Sequence, residues 1–167
     1  MARLYLLRHG IALPHGTPDI PDDERPLTPK GEKRMREIGR GLRRLGVAPD
    51  AIITSPLPRA ARTAEIVAEA LKLTNLVEYH DALRPDRDAK SIREWLSSRL
   101  HFNLLLVGHN PAISELLRLL AAGEQSSFSC DLKKGGIAAL RSTSEPVMSL
   151  EWVAQPRLFR RLAASTS

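Results

Sequence analysis

Residues 3–10 read RLYLLRHG, a short apolar run that leads directly into an arginine, a histidine and a glycine. Near-continuous apolarity over residues 3–7 is typical of a parallel strand that is covered on both faces. Two similar runs occupy residues 51–54 and 103–107, and each of the three ends at a Gly, Pro or Ser signal. The pattern predicts three buried parallel strands.

Helical periodicity fills the stretches that separate these runs. Apolar residues step by three or four, with charges on the other faces, in residues 29–45, 57–72, 89–100 and 111–122. Two later runs, 136–142 and 147–153, are predicted to form an antiparallel pair of strands around Ser144-Glu145-Pro146. Strands that alternate with helices predict a three-layer α/β/α fold, with a mostly parallel central sheet and helices on both faces.

The length and composition favour one domain without covalent or metal staples. At 167 residues and 43% hydrophobic content, the chain has enough apolar material for its own core, and residues 1–167 are expected to form a single domain. Residues 155–167 are expected to form a short terminal helix or a frayed tail. The single cysteine, Cys130, excludes an intramolecular disulfide and a cysteine-based zinc site.

No apolar run approaches the roughly 20 residues that span a bilayer. The run at residues 4–7 is also shorter than the h-region of a signal peptide, which needs ~7–15 residues. We therefore expect a cytoplasmic protein that does not insert into membranes.

The chain is basic, with a net charge of +6 and an isoelectric point near 10. Basic proteins often bind nucleic acids, but aromatic residues make up only 4% of this chain, too few for a base-stacking platform. The charge is therefore interpreted as a preference for anionic ligands, without specific nucleic-acid binding.

Histidines and arginines follow the predicted strands where each strand ends. Arg8 and His9 come after the first strand, Arg59 after the second and His109 after the third. Ligands of open α/β sheets bind at the carboxyl edge, so we expect these side chains to converge there. Guanidinium groups near helix N-termini suit a phosphoryl group. No carboxylate accompanies the histidines, so we predict neither a metal site nor a cofactor.

A histidine among arginines is biased toward its neutral form, because nearby positive charge disfavours protonation. Neutral imidazole has a ring nitrogen that can attack phosphorus. The residues alone thus predict covalent catalysis through a phosphohistidine, followed by attack of water.

Four motifs together resemble the histidine phosphatase superfamily, which includes the phosphoglycerate mutases. They are LRHG at residues 7–10, RPLTPKG at 25–31, SPLPRAARTA at 55–64 and VGHNP at 107–111. The resemblance runs from residue 3 to about residue 142 and implies a phosphoglycerate mutase-like fold. The short chain and the compact loop 10–27 are similar to those of the small SixA-type phosphohistidine phosphatases.

The resemblance implies a role for each residue that matches a motif. His9 would be the phosphorylated nucleophile, Arg8, Arg25 and Arg59 would bind phosphate oxygens, and His109 would stabilise the charge of the transition state. A surface ion-pair role competes for Arg25, which follows Asp22, Asp23 and Glu24. Arg62 does not match a phosphate-binding position and is interpreted as a supporting or surface residue.

One departure from the wider family concerns the general acid. Mutase-like branches carry a glutamate after the middle of the chain, whereas residues 83–90 contain none. Asp86 and Asp88 are the candidate substitutes, although basic neighbours should keep both ionised. The departure resembles the SixA-type branch and argues against mutase activity.

Three hypotheses follow. The first is a metal-independent phosphatase of phosphohistidine on a protein partner, such as a phosphotransfer domain. The second is a phosphatase of small phosphorylated metabolites that uses the same His9. The third is a catalytically idle module that binds polyanions. Acid-labile phosphate trapped on His9 would separate the first two from the third, and relative rates on the two substrate classes would separate the first from the second.

Overall fold

The computed structural model describes residues 2–99, 102–143 and 147–164, and six strands in these ranges form one sheet. The strands are β1 (Arg3–Arg8), β2 (Ala51–Thr54), β3 (Val77–Tyr79), β4 (Leu104–Gly108), β5 (Ile137–Arg141) and β6 (Ser149–Ala154). Their order across the sheet is β3-β2-β4-β1-β5-β6. Neighbours from β3 to β1 pair in parallel, whereas β5 is antiparallel to both β1 and β6. The predicted mostly parallel sheet is confirmed.

Helices cover both faces of this sheet. They are α1 (Pro29–Arg44), α2 (Pro58–Leu71), α3 (Ala89–Ser97), α4 (Ala112–Ala122) and α5 (Pro156–Ala164). Side chains of β1 alternate between the two faces: Leu4 and Leu6 pack in one core with α3 and α4, and Tyr5 and Leu7 pack in the other with α1, α2 and α5. The two separate cores are those of the expected three-layer α/β/α fold.

The start of α1 is fixed against the loop that follows β1. The Thr28 hydroxyl caps the helix by accepting a hydrogen bond from the Gly31 N–H at 2.9 Å, and Pro29 occupies the first helical position, where no N–H is needed. The Thr28 N–H in turn donates to the Ile11 carbonyl at 2.9 Å. A Cβ at Gly31 would lie 2.0 Å from that carbonyl oxygen, so the close approach requires a glycine.

All four helices and all five strands predicted from the periodicity are present, and their described ends differ from the prediction by no more than three residues. Leu100, at the predicted end of α3, lies outside the described residues. So does the predicted turn at residues 144–146, although the antiparallel pairing of β5 with β6 is confirmed.

One strand was not predicted from the sequence. Strand β3 was missed because its three residues include no apolar run and Glu78 and Tyr79 are exposed. Of the two alternatives predicted for the C-terminal residues, the described part forms the helix, α5, and its Phe159 is fully buried against α1. No helix among the described residues is both long and apolar enough to span a bilayer.

Candidate active site

His9 and His109 lie side by side at the carboxyl edge of the sheet. Strands β1 and β4 are parallel neighbours, and their register pairs Arg8 with Gly108, so the residue that follows each strand end is a histidine. The centroids of the two imidazole rings are 5.1 Å apart. His9 is 7% exposed and His109 4% exposed. The predicted convergence of these two histidines is present in the structure.

The ring of His9 is neutral and its tautomer follows from one hydrogen bond. Nδ1 lies 2.7 Å from the carbonyl oxygen of Gly10, which can only accept, so Nδ1 carries the proton and Nε2 keeps its lone pair. Burial is the main cause that lowers the pKa of His9, and it outweighs the Gly10 hydrogen bond, which raises the pKa. The charges of Arg59, Arg8 and Lys134 act in the same direction as burial, and the resulting pKa is about 3. Nε2 is thus available as a nucleophile at neutral pH.

Thr63 ties the loop after His9 to the first turn of α2. Its Oγ1 accepts a hydrogen bond from the Gly10 N–H at 3.0 Å and donates one to the Arg59 carbonyl at 2.6 Å. All three bonded groups are buried, so the hydroxyl satisfies polar atoms that water does not reach. The nucleophile and a candidate phosphate-binding arginine are therefore positioned by one side chain.

Three arginine and histidine nitrogen atoms are buried here without a partner. They are Nε of Arg8, Nε of Arg59 and Nδ1 of His109. Among the described residues, no other buried side-chain nitrogen or oxygen atom lacks a hydrogen-bond partner. Buried polar groups are nearly always paired, and an unpaired one costs about 1–3 kcal/mol. Unpaired cationic donors beside a neutral nucleophile are suited to bind an anion.

His109 is also held neutral. Burial lowers its pKa to about 3, with contributions from the neighbouring His9, Arg59 and Arg25. Its Nε2 lies 2.9 Å from the hydroxyl of Ser55, which already accepts from the Leu57 N–H at 3.3 Å and therefore has its own hydrogen free to donate. In that pairing the unpartnered Nδ1 carries the ring proton and is a donor.

Arg25 is close to Arg59 and pairs with a carboxylate of its own loop. Its Nε lies 2.7 Å from Oδ1 of Asp22, and its Nη1 donates to the Leu13 carbonyl at 2.6 Å. Asp22 also reaches Arg59, with Oδ2 3.7 Å from Nη2. The ion pair of Arg25 is present, but it is not a surface pair, since the Arg25 side chain is only 13% exposed and its charge acts on Arg59 and His109.

Asp22 remains ionised beside these cations. Hydrogen bonds from His15 and Arg25 lower the pKa of its carboxyl to about 2. The two candidate acids are elsewhere: Asp88 caps α3 by accepting from the Ser91 N–H at 2.7 Å, and Asp86 is exposed, 3.8 Å from Arg84. No hydrogen bond or ion pair in the described ranges joins either of them to the histidine pair.

Arg62 does not reach the site. Its guanidinium bonds to Glu32, Glu65 and Glu69 at 3.1–3.2 Å, as expected for a supporting or surface residue. Across the described part of the chain, no three His, Cys, Asp or Glu side chains are grouped so that they could hold a metal ion.

Comparison with known proteins assigns the chain to a family. A model of the histidine phosphatase superfamily, branch 1, matches residues 4–86, which include Arg8, His9 and Arg59. An uncharacterised protein of Picosynechococcus is 39% identical over 143 residues, which cover 83% of this chain and 84% of that protein. The chain belongs to the histidine phosphatase superfamily.

The fold of the chain is similar to those of solved members of the superfamily. The protein histidine phosphatase SixA complexed with tungstate aligns with a TM-score of 0.82 and 24% identity, over 93% of this chain and 98% of that one. A phosphoglycerate mutase of Bacillus anthracis aligns with a TM-score of 0.76 and 14% identity, over 98% of this chain and 97% of that one. Identities this low demonstrate a shared fold and leave the substrate open.

Four further residues were not predicted from the sequence to act at the site. They are Asp22, Ser55, Thr63 and Lys134. Ser55 and Thr63 lie within the SPLPRAARTA motif, so a hydrogen-bonding role for its hydroxyls was within reach of the sequence. Lys134 precedes β5, and its proximity to His9 depends on β5 pairing next to β1. Nothing in the sequence around Lys134 indicates that β5 lies next to β1.

Proposed function

We propose that this histidine phosphatase hydrolyses phosphohistidine on a protein partner through a covalent phosphohistidine on His9, without a metal ion. The observation that carries the proposal is the set of three unpartnered buried nitrogen atoms of Arg8, Arg59 and His109 beside the neutral ring of His9. A phosphoryl group brings the acceptor oxygens that these donors lack. Fixed cationic donors also stabilise the charge that a metal ion stabilises in other phosphatases.

The reaction takes place in two displacements. In the first, Nε2 of His9 attacks phosphorus and forms a P–N bond, while the P–N bond to the substrate imidazole breaks and its nitrogen takes a proton from solvent. In the second, water attacks the same phosphorus, the P–N bond to His9 breaks, and inorganic phosphate leaves with the water oxygen. Arg8, Arg25, Arg59 and His109 bind the phosphoryl oxygens in both steps, and Arg25 does so by exchanging Asp22 for phosphate.

The substrate class follows from the state of the carboxylates. An alkyl phosphate expels an alkoxide, which needs a proton from a positioned acid, and such help is worth ~10²–10⁴ in rate. Asp22, the carboxylate that contacts Arg25 and Arg59, has a pKa of about 2 and is ionised at neutral pH. A phosphorylated imidazole can take its proton from water instead. The site therefore favours P–N over P–O substrates, and the similarity in fold to SixA supports this choice.

A substrate panel tests the proposal. We expect a higher kcat/KM for a phosphohistidine peptide than for phosphoserine peptide or sugar phosphates, with His9→Ala as the blank. Rapid quenching should trap phosphate on the wild-type enzyme that is labile to acid and stable to base. Turnover should persist in EDTA and be inhibited competitively by tungstate. Turnover within tenfold of wild type in His9→Ala, or loss in EDTA that a divalent metal restores, would contradict the mechanism.

The second candidate is hydrolysis of a small phosphorylated metabolite at the same site. It is favoured by the similarity in fold to a phosphoglycerate mutase. The same panel decides between the two, since this candidate requires a phosphomonoester to be turned over at least as fast as phosphohistidine. In that case an acid must be present, and Asp22 is the first residue to replace.

A further inference from the structure

A second group of cations lies beside Arg8, outside the histidine pair. It lines a groove of about 460 Å³ with five basic side chains, those of Arg8, Arg34, Lys133, Lys134 and Arg157, and without an acidic one. We name it the basic groove. Arg8 belongs to both the basic groove and the candidate active site, so the two adjoin at this side chain.

The groove is assembled by a rigid turn rather than by a mobile loop. The Lys133 N–H donates to the side-chain oxygen of Gln155 at 3.0 Å, and the Gly135 N–H donates to the carbonyls of Arg8 and His9 at 3.0 and 3.1 Å. Gly135 has a φ of +84°, which favours glycine. The backbone of the turn that carries Lys133 and Lys134 is thereby fixed beside the end of β1 and His9.

Four cations of the groove have no ion-pair partner among the residues that the structure describes. In the described ranges Arg34, Lys133, Lys134 and Arg157 take part in none of the ion pairs, although fourteen such contacts join other residues. Four like charges around one groove repel each other. An anionic partner offsets that repulsion. Its attraction to the groove acts over a screening length of about 8–10 Å at physiological ionic strength.

The shape and chemistry of the groove favour a protein segment as this partner. Lys133, Lys134 and Arg157 are exposed, whereas a site for a small molecule encloses its ligand and orients it with a few buried polar groups. No aromatic side chain lines the groove, so it provides no surface for stacking nucleic-acid bases. Carboxylates on a protein surface match exposed cations of this kind.

On the basis of the proposed function, we propose that the basic groove is the docking surface for an acidic segment next to the phosphohistidine of the partner protein. Arg8 borders both sites. Acidic residues close in sequence to the partner's phosphohistidine therefore fill the groove while its phosphoryl group contacts His9. The groove thus selects among phosphohistidine proteins by the charge around the modified residue.

Two phosphohistidine peptides of equal length test this docking surface, one with Asp and Glu around the histidine and one with Asn and Gln. For the wild type we expect kcat/KM to be about tenfold higher on the acidic peptide, through KM, and to lose this advantage as salt is raised. The double variant Lys133→Glu with Arg157→Glu should lose or reverse the preference. The matched control, Arg40→Glu with Arg43→Glu, reverses two exposed arginines near the other end of α1 and should keep it.

The outcomes separate the docking surface from the proposed function. Equal kcat/KM on the two peptides, or equal loss of preference in the matched control, overturns the docking surface and leaves the function intact. Failure to turn over either peptide overturns the function itself. Competition by a short DNA oligonucleotide that is stronger than competition by the unphosphorylated acidic peptide would assign the groove to nucleic acid instead. If the reversed variant does not fold, Lys133→Gln with Arg157→Gln provides the same comparison.

Discussion

The carboxylate of Asp22 accepts a hydrogen bond from Nε of Arg25 at 2.7 Å. A carboxylate of the chain itself is therefore already bound to an arginine that was predicted to bind phosphate. The same carboxylate lies 3.7 Å from Nη2 of Arg59. Under the proposed function, an incoming phosphoryl group would exchange with Asp22 instead of meeting two uncompensated guanidinium groups. Such an exchange would weaken ground-state binding and keep the arginines oriented between turnovers.

Removal of this internal anion should strengthen the binding of external ones. For Asp22→Asn we expect tungstate to bind about two- to fivefold more tightly than to the wild type, the effect expected for a partly exposed ion pair. Isothermal titration calorimetry on His9→Ala with and without Asp22→Asn isolates binding from turnover. Weaker binding in the double variant would show that Asp22 orders the arginines more than it competes for them.

The Thr63 hydroxyl should matter for both stability and rate. Thr63→Val keeps the shape but leaves the buried Gly10 N–H without an acceptor, which should lower the free energy of unfolding by about 1–3 kcal/mol. It should also lower kcat, because Gly10 holds the ring of His9. Thr63→Ser retains the hydroxyl and serves as the control in urea denaturation and steady-state assays. Unchanged stability and kcat in Thr63→Val would show that the hydroxyl does not position Gly10 and His9.

Acid should destabilise the fold through His9 and His109. Both have a folded-state pKa of about 3, below the usual 6.5, so the unfolded chain binds more protons between these values. The free energy of unfolding should thus be fully retained above pH 6.5 and fall below it, by up to about 1.4 kcal/mol per pH unit for each histidine. Urea denaturation at pH 7.5 and 5 measures this fall in the free energy of unfolding. His109→Gln should reduce the slope of the free energy of unfolding against pH, because it removes one of the two buried histidines. A slope unchanged in that variant would contradict a neutral buried His109.

An introduced acid should broaden the substrate range. Pro85→Glu restores a glutamate to the stretch where mutase-like members of the family carry one, and leaves Arg84 in its ion pair with Asp23 at 2.8 Å. We expect its kcat/KM on a phosphomonoester to rise about tenfold, less than the ~10²–10⁴ that a fully positioned general acid contributes, and that on phosphohistidine to change less. The same increase on both substrates would mean that the leaving group is not what limits the wild type.

The parts of the site that follow strand ends were predictable, and the parts that depend on loop conformation were not. His9 and His109 each come after a buried apolar run, and parallel pairing brings such positions to one edge whatever the length of the connections. Asp22 is one of three consecutive acidic residues in loop 10–27. The sequence does not reveal which of the three carboxylates contacts the arginines of the site. The contribution of Lys134 depends on β5 pairing antiparallel beside β1, a contact between residues more than a hundred positions apart.

The strand order also affects the chain while it is being synthesised. Strand β1 pairs only with β4 and β5 in the described sheet, so its apolar residues have no strand partner until residue 108 has left the ribosome. At roughly 5–20 residues per second, that wait lasts about 5–20 s. During that interval an uncovered apolar strand is exposed to chaperones and to other nascent chains, and a ribosome stalled before β4 releases a product that contains His9 but neither a finished sheet nor His109.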